Sequence, residues 1–374
     1  MYTHSIIGGN GRNKGALLML YSTLKLLNND SLKKVYIFTP FIKEDSKIIE
    51  DLMSEFNFEF NLVEWNQKSI IVSFLKKIFK IPDTSKIAKA LSDSEKVIDI
   101  SGISFVTNRG IRHLIYNILC IALPNLYKCK IYKFPQSIGP INGNIKSFIS
   151  RHYLKKCKQI YARGNLTQQE LSKHNIDSKL SSDLGFLFKT QNLNFDNSKL
   201  VGIVPSVVVE KYFQRNGLNY KDFLVNLTES LLNIGYQVIV IPSSYRNNKN
   251  DKIFNDSQYL DMISEKIKDN NLRVISRDLN LNELFKLFNE IDVCITSRFH
   301  GMIFSLIFNK PPIVLGWNYK YIEILKEFFI EDLAVEINYE SIENVLSTLD
   351  KVNQQYKEYC LTIAKCNPKI EIQL

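Results

Sequence analysis

Short apolar runs recur along the chain, with stretches of helical periodicity between them. Val35 to Phe38, Phe58 to Val63, Lys96 to Ile100, Lys130 to Phe134, Gln159 to Ala162, Leu200 to Pro205, Gln237 to Pro242, Val293 to Ile295 and Ile313 to Leu315 have the length and branched-residue content of buried strands. Apolar residues at helical spacing follow most of them, as in Ala16 to Leu24, Leu114 to Leu123, Ser147 to Lys156, Tyr220 to Ile234 and Met302 to Ile307. This alternation predicts parallel sheets covered by helices on both faces. The asparagine-rich stretch Thr190 to Lys199 interrupts the rhythm as a linker. A chain of 374 residues is long for a single core. We therefore expect an α/β protein of two Rossmann-like, doubly wound domains, residues 1–189 and 190–374, facing each other across a cleft. Ile322 to Phe329 and Ile342 to Cys360 read as helices, the last folding back on the first domain.

Candidate chemistry concentrates between Asp292 and Lys320. Thr296, Ser297, Arg298, Phe299 and His300 place hydroxyls, a guanidinium and an imidazole between a strand and an apolar helix that begins near Gly301. In open parallel sheets such corners line the crevice at the strand carboxyl ends, and a helix N-terminus offers backbone N–H groups to an anion. The bland alternative pairs Arg298 with an acidic residue and leaves His300 to cap or pack. A second polar corner, Gly316, Trp317, Asn318, Tyr319 and Lys320, follows the next strand. Near the amino terminus, Ser5 to Gly15 reads S-I-I-G-G-N-G-R-N-K-G and runs into a leucine-rich helix. Its glycines admit a ligand close to the backbone, but the spacing is not that of the dinucleotide fingerprint.

Composition narrows the partners. Six cysteines show no C-x-x-C pair and five histidines show no metal signature, so neither a metal nor a disulfide framework is expected. The net charge of +10 suits anionic substrates or an anionic membrane surface. Nucleic acid is not expected, because no recognition motif accompanies the charge. No apolar run reaches membrane-spanning length. With no signal peptide legible after Met1, a cytoplasmic protein is expected. Ser69 to Lys80, apolar with three late lysines, reads either as a core-packed helix or as one lying in a lipid interface.

With S-R-F-H-G, K-P-P-I-V-L and N-Y-K in order, the Asp292 to Lys320 segment resembles the polysaccharide pyruvyl transferase family. Gln136-Ser137-Ile138-Gly139-Pro140 resembles its Q-x-I-G-P motif, and Asn13-Lys14-Gly15-Ala16 its amino-terminal N-x-G-A motif. Four departures stand out. Asn309 occupies a usual glycine position, Gly164 replaces the acid that usually follows Arg163, Ser243 replaces a histidine before Arg246, and the acidic residue common near N-x-G-A is absent. The resemblance implies a glycosyltransferase-B-like architecture and transfer of pyruvate as a ketal from phosphoenolpyruvate, with no further cofactor, to a sugar or lipid-linked oligosaccharide. Peripheral contact with the inner face of the cell membrane would follow from a lipid-linked acceptor. On this resemblance the first domain is the acceptor side and the second holds phosphoenolpyruvate. His300 and Arg298 are the expected catalytic residues. Arg163, Lys320, Ser297, Gly301, Arg246, Asn13, Gly15, Gln136 and Gly139 are the expected substrate-binding residues. A nucleotide-sugar glycosyltransferase of the same architecture is the alternative, although Asn318 to Glu323 offers only Glu323 where such enzymes often hold an acidic pair. A non-catalytic sugar-binding protein is the second alternative.

Overall fold

The computed structural model describes residues 2–28, 31–195, 198–246, 255–316 and 318–374, so Trp317 and part of the Thr190 to Lys199 stretch lie outside the described residues. The chain divides into two compact units, the first made of Met1–Gly11, Ala16–Leu184 and Pro368–Leu374, the second of Arg12–Gly15 and Gly185–Asn367. The division falls at Leu184, before the polar stretch starting at Thr190. Helix Tyr356–Lys365 belongs to the second unit, and only the tail after it joins the first. That tail is held there by backbone pairing of Ser182 N–H to the Lys369 carbonyl at 2.8 Å and by the Tyr161 hydroxyl, which donates to the Gln373 carbonyl at 2.7 Å.

In the first unit the elements run β1 (Tyr2–Ile7), α1 (Lys14–Leu27), β2 (Leu32–Thr39), α2 (Ile42–Met53), β3 (Glu59–Glu64), α3 (Gln67–Ile78), α4 (Lys86–Asp93), β4 (Lys96–Asp99), β5 (Ile103–Ser104), α5 (Ile111–Leu126), β6 (Lys130–Ile138), α6 (Asn144–Leu154), β7 (Gln159–Arg163), α7 (Asn165–Lys173) and β8 (Lys179–Ser181). Among the described residues they form one eight-stranded sheet in the order β3-β2-β1-β4-β6-β7-β8, with β5 beside β6. Every pairing is parallel. Burial follows the apolar runs: each residue of β6 after Lys130 is buried, as expected of a central strand covered on both faces. Helix α3 starts where Asn66 and Ser69 form a capping box, Asn66 Oδ1 accepting from the Ser69 N–H at 2.9 Å and Ser69 Oγ from the Asn66 N–H at 3.2 Å.

The second unit continues with β9 (Leu200–Val204), α8 (Val207–Arg215), α9 (Tyr220–Asn233), β10 (Gln237–Val240), α10 (Ser257–Lys266), β11 (Leu272–Val274), α11 (Leu281–Glu290), β12 (Val293–Thr296), α12 (Phe299–Ile307), β13 (Pro312–Leu315), α13 (Tyr319–Glu327), β14 (Ala334–Val335), α14 (Ser341–Gln354) and α15 (Tyr356–Lys365). Its strands, all parallel, lie in the order β11-β10-β9-β12-β13-β14. Periodicity did not reveal α8, because Val207, Val208 and Val209 form the kind of branched run that favours strands. The Ser206 side chain caps it, accepting from the Val208 N–H at 3.3 Å. Strand order reverses between β9 and β12. In doubly wound sheets a ligand crevice opens at this reversal, outside the strand carboxyl ends.

Candidate active site

The S-R-F-H-G corner leaves β12 at that reversal. The Ser297 N–H reaches the Val204 carbonyl at the end of β9 at 3.4 Å. Thr296 Oγ1 accepts from the Arg298 N–H at 2.9 Å and so turns the chain into α12, whose cap is Arg298. Gly301 is required by packing in this first turn, since a Cβ there would stand 2.4 Å from Thr296 Oγ1 and 3.2 Å from Val204 Cγ1. Its place is against the strand ends of the fold, not against open space. Below the corner, the Ser297 and Tyr220 hydroxyls share a hydrogen bond of 2.8 Å, and Tyr220 Oη accepts from the Ser206 N–H at 3.0 Å. Burial pushes the Tyr220 phenol well above its ordinary pKa, which keeps it a proton-bearing donor.

Arg298 does not stand alone. Its Nη2 donates to Asp256 Oδ1, and its Nε lies 3.4 Å from the Pro205 carbonyl. Asp256 is fully buried and also accepts from the Val207 N–H and the Ser244 N–H, each at 3.0 Å. Val207 opens α8, so the carboxylate occupies the N-terminus of that helix, where negative charge is favoured. Burial pushes the Asp256 carboxyl up in pKa, while the guanidinium and the two backbone donors pull it back. The pairing with an acid, raised from sequence as the bland alternative, is thus the observed one, and Arg298 presents less net charge to a ligand than an isolated guanidinium would.

His300 meets the amino-terminal motif. A Cβ on Gly15 would stand 2.0 Å from His300 Nδ1, so the imidazole lies directly against the Gly15 backbone. The loop that carries Gly15 is stitched to the second unit. Asn13 forms an antiparallel bridge with Ser244, the Lys14 N–H donates to the Ser243 carbonyl at 3.0 Å, and the buried Lys14 Nζ pairs with Asp278 at 2.6 Å. Asn13 Oδ1 accepts from the Gly15 N–H at 2.9 Å and holds the turn. Gly15→Ala is expected to drive the imidazole out of place and reduce turnover by about two powers of ten or more, the scale for misplacing a group at an active site. Steady-state rates beside an unchanged far-ultraviolet circular dichroism spectrum check this.

The second unit therefore gathers Asn13, Gly15, Ser297, Arg298, His300 and Gly301. Lys320 sits near them, its Nζ 5.0 Å from the Phe299 ring centre. Arg246 belongs to the Ser243–Ser244 loop, its N–H held by Asn255 Oδ1 at 3.1 Å. The remaining sequence candidates, Arg163, Gln136 and Gly139, lie in the first unit, where each has partners of its own. Arg163 is buried, with Nη1 paired to Asp183 at 2.8 Å and Nη2 donating to the Gly102 carbonyl at 3.0 Å and Ser137 Oγ at 3.1 Å. Asp183 thus supplies the acid that Gly164 lacks. Gln136 is fully buried, accepting from Ser104 at 2.6 Å and donating to the Asp99 carbonyl at 3.0 Å. Gly139 has φ +90°, and a Cβ there would meet Glu170 Cγ at 2.6 Å. Glu170 in turn accepts from the Ile141 N–H at 2.7 Å, so the Q-S-I-G-P turn is clamped by α7.

The family model for polysaccharide pyruvyl transferase matches residues 13–319, from the Asn13 loop to the second polar corner. The chain belongs to this family. Among curated relatives, amylovoran biosynthesis protein AmsJ of Erwinia amylovora is 18% identical over 297 residues, covering 74% of this chain and 69% of AmsJ. Solved structures of similar fold include UDP-GlcNAc 2-epimerase from Neisseria meningitidis bound to UDP-GlcNAc (TM-score 0.62, 12% identity, 98% of this chain and 95% of that one). S. aureus MnaA with UDP is another (TM-score 0.61, 10% identity, 99% and 93%). At such identity the likeness is one of fold, a parallel-sheet α/β architecture of the glycosyltransferase-B-like kind.

This pyruvyl transferase explains its own departure at Asn309. The residue follows the end of α12 with φ +57°, the left-handed conformation that glycine adopts freely and asparagine tolerates best among the rest. Its side chain recovers the difference by donating to the Thr190 carbonyl at 3.0 Å and the Asn192 carbonyl at 3.2 Å while accepting from Lys189. Sequence reasoning missed Asp256, Lys14, Asp278 and Tyr220. Lys14 alone carried a signal, as a lysine inside the glycine-rich loop.

Proposed function

We propose that this pyruvyl transferase moves pyruvate from phosphoenolpyruvate to two hydroxyls of a sugar in a cell-surface polysaccharide or its lipid-linked precursor. A ketal forms and phosphate leaves. The observation that carries the reading is the meeting of two motif segments: the His300 imidazole rests on Gly15 in the first turn of α12, where β12 leaves the sheet at its reversal. The α12 N-terminus, Lys320 and Arg246 are the groups for the phosphate and carboxylate of the donor. Arg298, tied to Asp256, orients more than it neutralises.

Ketal formation begins with a proton delivered to the methylene carbon of the enol phosphate, leaving a cationic carbon beside the carboxylate. A first sugar hydroxyl adds there and loses its proton to the imidazole, phosphate departs to leave a second cationic carbon, and a second hydroxyl closes the ring, its proton leaving with the phosphate. His300 is the group assigned to give the first proton and accept the hydroxyl proton, since imidazole serves both directions near neutral pH. Among the described residues no group of three or more His, Cys, Asp or Glu side chains could hold a metal ion. Oxyanion neutralisation is assigned to the α12 N-terminus, Lys320 and Arg246. Incubation with phosphoenolpyruvate and a panel of lipid-linked or model sugars is expected to release phosphate in step with a new ketal methyl resonance, unchanged by EDTA. Consumption of a nucleotide sugar without phosphoenolpyruvate, or activity abolished by EDTA and restored by magnesium, overturns the corresponding assignment.

A further inference from the structure

Helix α3 of the first unit carries its apolar face outward. Ile71, Val72, Leu75, Ile78 and Phe79 share one side of the helical wheel, and their exposure runs from 40% for Ile71 to 68% for Phe79. Ile70 and Ser73 point inward in their place. The capping box at Asn66 fixes the start of the helix and hence which side faces out. Helix α5 packs on α3 and α6 on α5, and the Gln67 side chain donates to the Arg112 carbonyl at 3.2 Å. The connections β3 to β4, β4 to β6 and β6 to β7 all step the same way across the sheet, so right-handed crossovers place the three helices on one side of it. The first turns of α5 and α6 extend the apolar surface through Ile111 and Ile115 and through Ile145 and Phe148, the last two 77% and 72% exposed.

Charge selects what covers this face. No Asp or Glu occurs between Glu64 and Asp83, nor between Asp99 and Glu170, whereas Lys68, Lys77, Lys80, Arg112, Lys146 and Arg151 are exposed on these elements or at their ends. Lys77, Lys80 and Lys89 also line an open groove of about 740 Å³ beside the end of α3. A second copy presenting the same face would bring like charges together. A bilayer with anionic headgroups complements both features, the apolar side chains entering the acyl boundary and the cations meeting phosphates.

We propose that the α3, α5 and α6 side of the first unit docks on an anionic lipid surface. Co-sedimentation with phosphatidylglycerol-containing vesicles, and with neutral phosphatidylcholine vesicles as the reference, tests this without donor or acceptor and so independently of the reaction assigned above. The intact chain is expected to partition onto the anionic vesicles. The variant Ile71→Gln, Leu75→Gln, Phe79→Gln should bind about tenfold more weakly or worse, the scale for withdrawing apolar contacts from the interface. Lys68→Gln with Lys80→Gln should lose about fivefold per lysine, an effect that added salt removes from the parent. Ile145→Gln with Phe148→Gln on a separate helix should weaken binding too. All replaced side chains are exposed, so unfolding midpoints should hold. Equal sedimentation of parent and variants overturns the proposal, as does a dimer of the parent that the α3 variant dissolves while vesicle binding persists.

Discussion

Replacing His300 by alanine is expected to lower turnover by about two to four powers of ten while leaving phosphoenolpyruvate binding within a few-fold of the parent. The split follows from the place of the ring. The ring lies against Gly15 at the first turn of α12, while the backbone N–H groups of that turn and the side chains of Lys320 and Arg246 remain when the imidazole is removed. On the proposed assignment the donor anion keeps its partners and the proton loses its carrier. Calorimetric titration with phosphoenolpyruvate, beside single-turnover rates, separates the two. A variant that no longer binds donor makes His300 a phosphate ligand, and one that turns over at the parent rate makes it structural. Either outcome removes the assignment. The Gly15→Ala enzyme supplies the companion measurement, because it displaces the same ring without deleting it.

Much of the architecture was written in the spacing of apolar runs, because strands buried on both faces need them and helices between parallel strands need a periodic apolar face. Strand β12 and its corner were legible in this way, and the family resemblance fixed which corner mattered. What escaped was non-local. Asp256 meets Arg298 only because β9, β12 and the loop before α10 converge at the sheet reversal, and nothing around either residue in the chain announces the other. Arg163 was noticed for its missing neighbour, yet its pairing with Asp183 needed β7 beside β8 and the chain leaving β8. Helix α8 was hidden by its own valines, whose strand preference is overridden by a serine cap and by Val209 and Phe213 buried on one face. At Asn309 the reverse held: an apparent motif defect was the residue that, after glycine, best suits the backbone there.

The buried pair also sets the second large effect. Arg298→Ala is expected to cost about 3–5 kcal/mol in unfolding free energy, because it leaves the Asp256 charge buried and uncompensated. Val207 and Ser244 still donate to that carboxylate, so the loss should fall short of unfolding the chain outright. Asp256→Asn in the Arg298→Ala background removes the stranded charge while its amide oxygen keeps an acceptor for one backbone donor. The double variant should therefore recover most of the stability, to within about 1–2 kcal/mol of the parent, the scale of one buried hydrogen bond left imperfect. Arg298→Lys keeps a cation near Asp256 but loses the fork, and should weaken phosphoenolpyruvate binding by about 1.5–3 kcal/mol if a guanidinium N–H also meets the donor. Urea unfolding of the parent, Arg298→Ala, Asp256→Asn and the double variant gives the coupling, and titration of the parent and Arg298→Lys with phosphoenolpyruvate gives the donor contribution separately. Additive losses in the double variant would mean that the two side chains do not stabilise the fold through each other. Unchanged donor affinity in Arg298→Lys would confine Arg298 to holding Asp256 and the α8 terminus in place, leaving the anion to the first turn of α12.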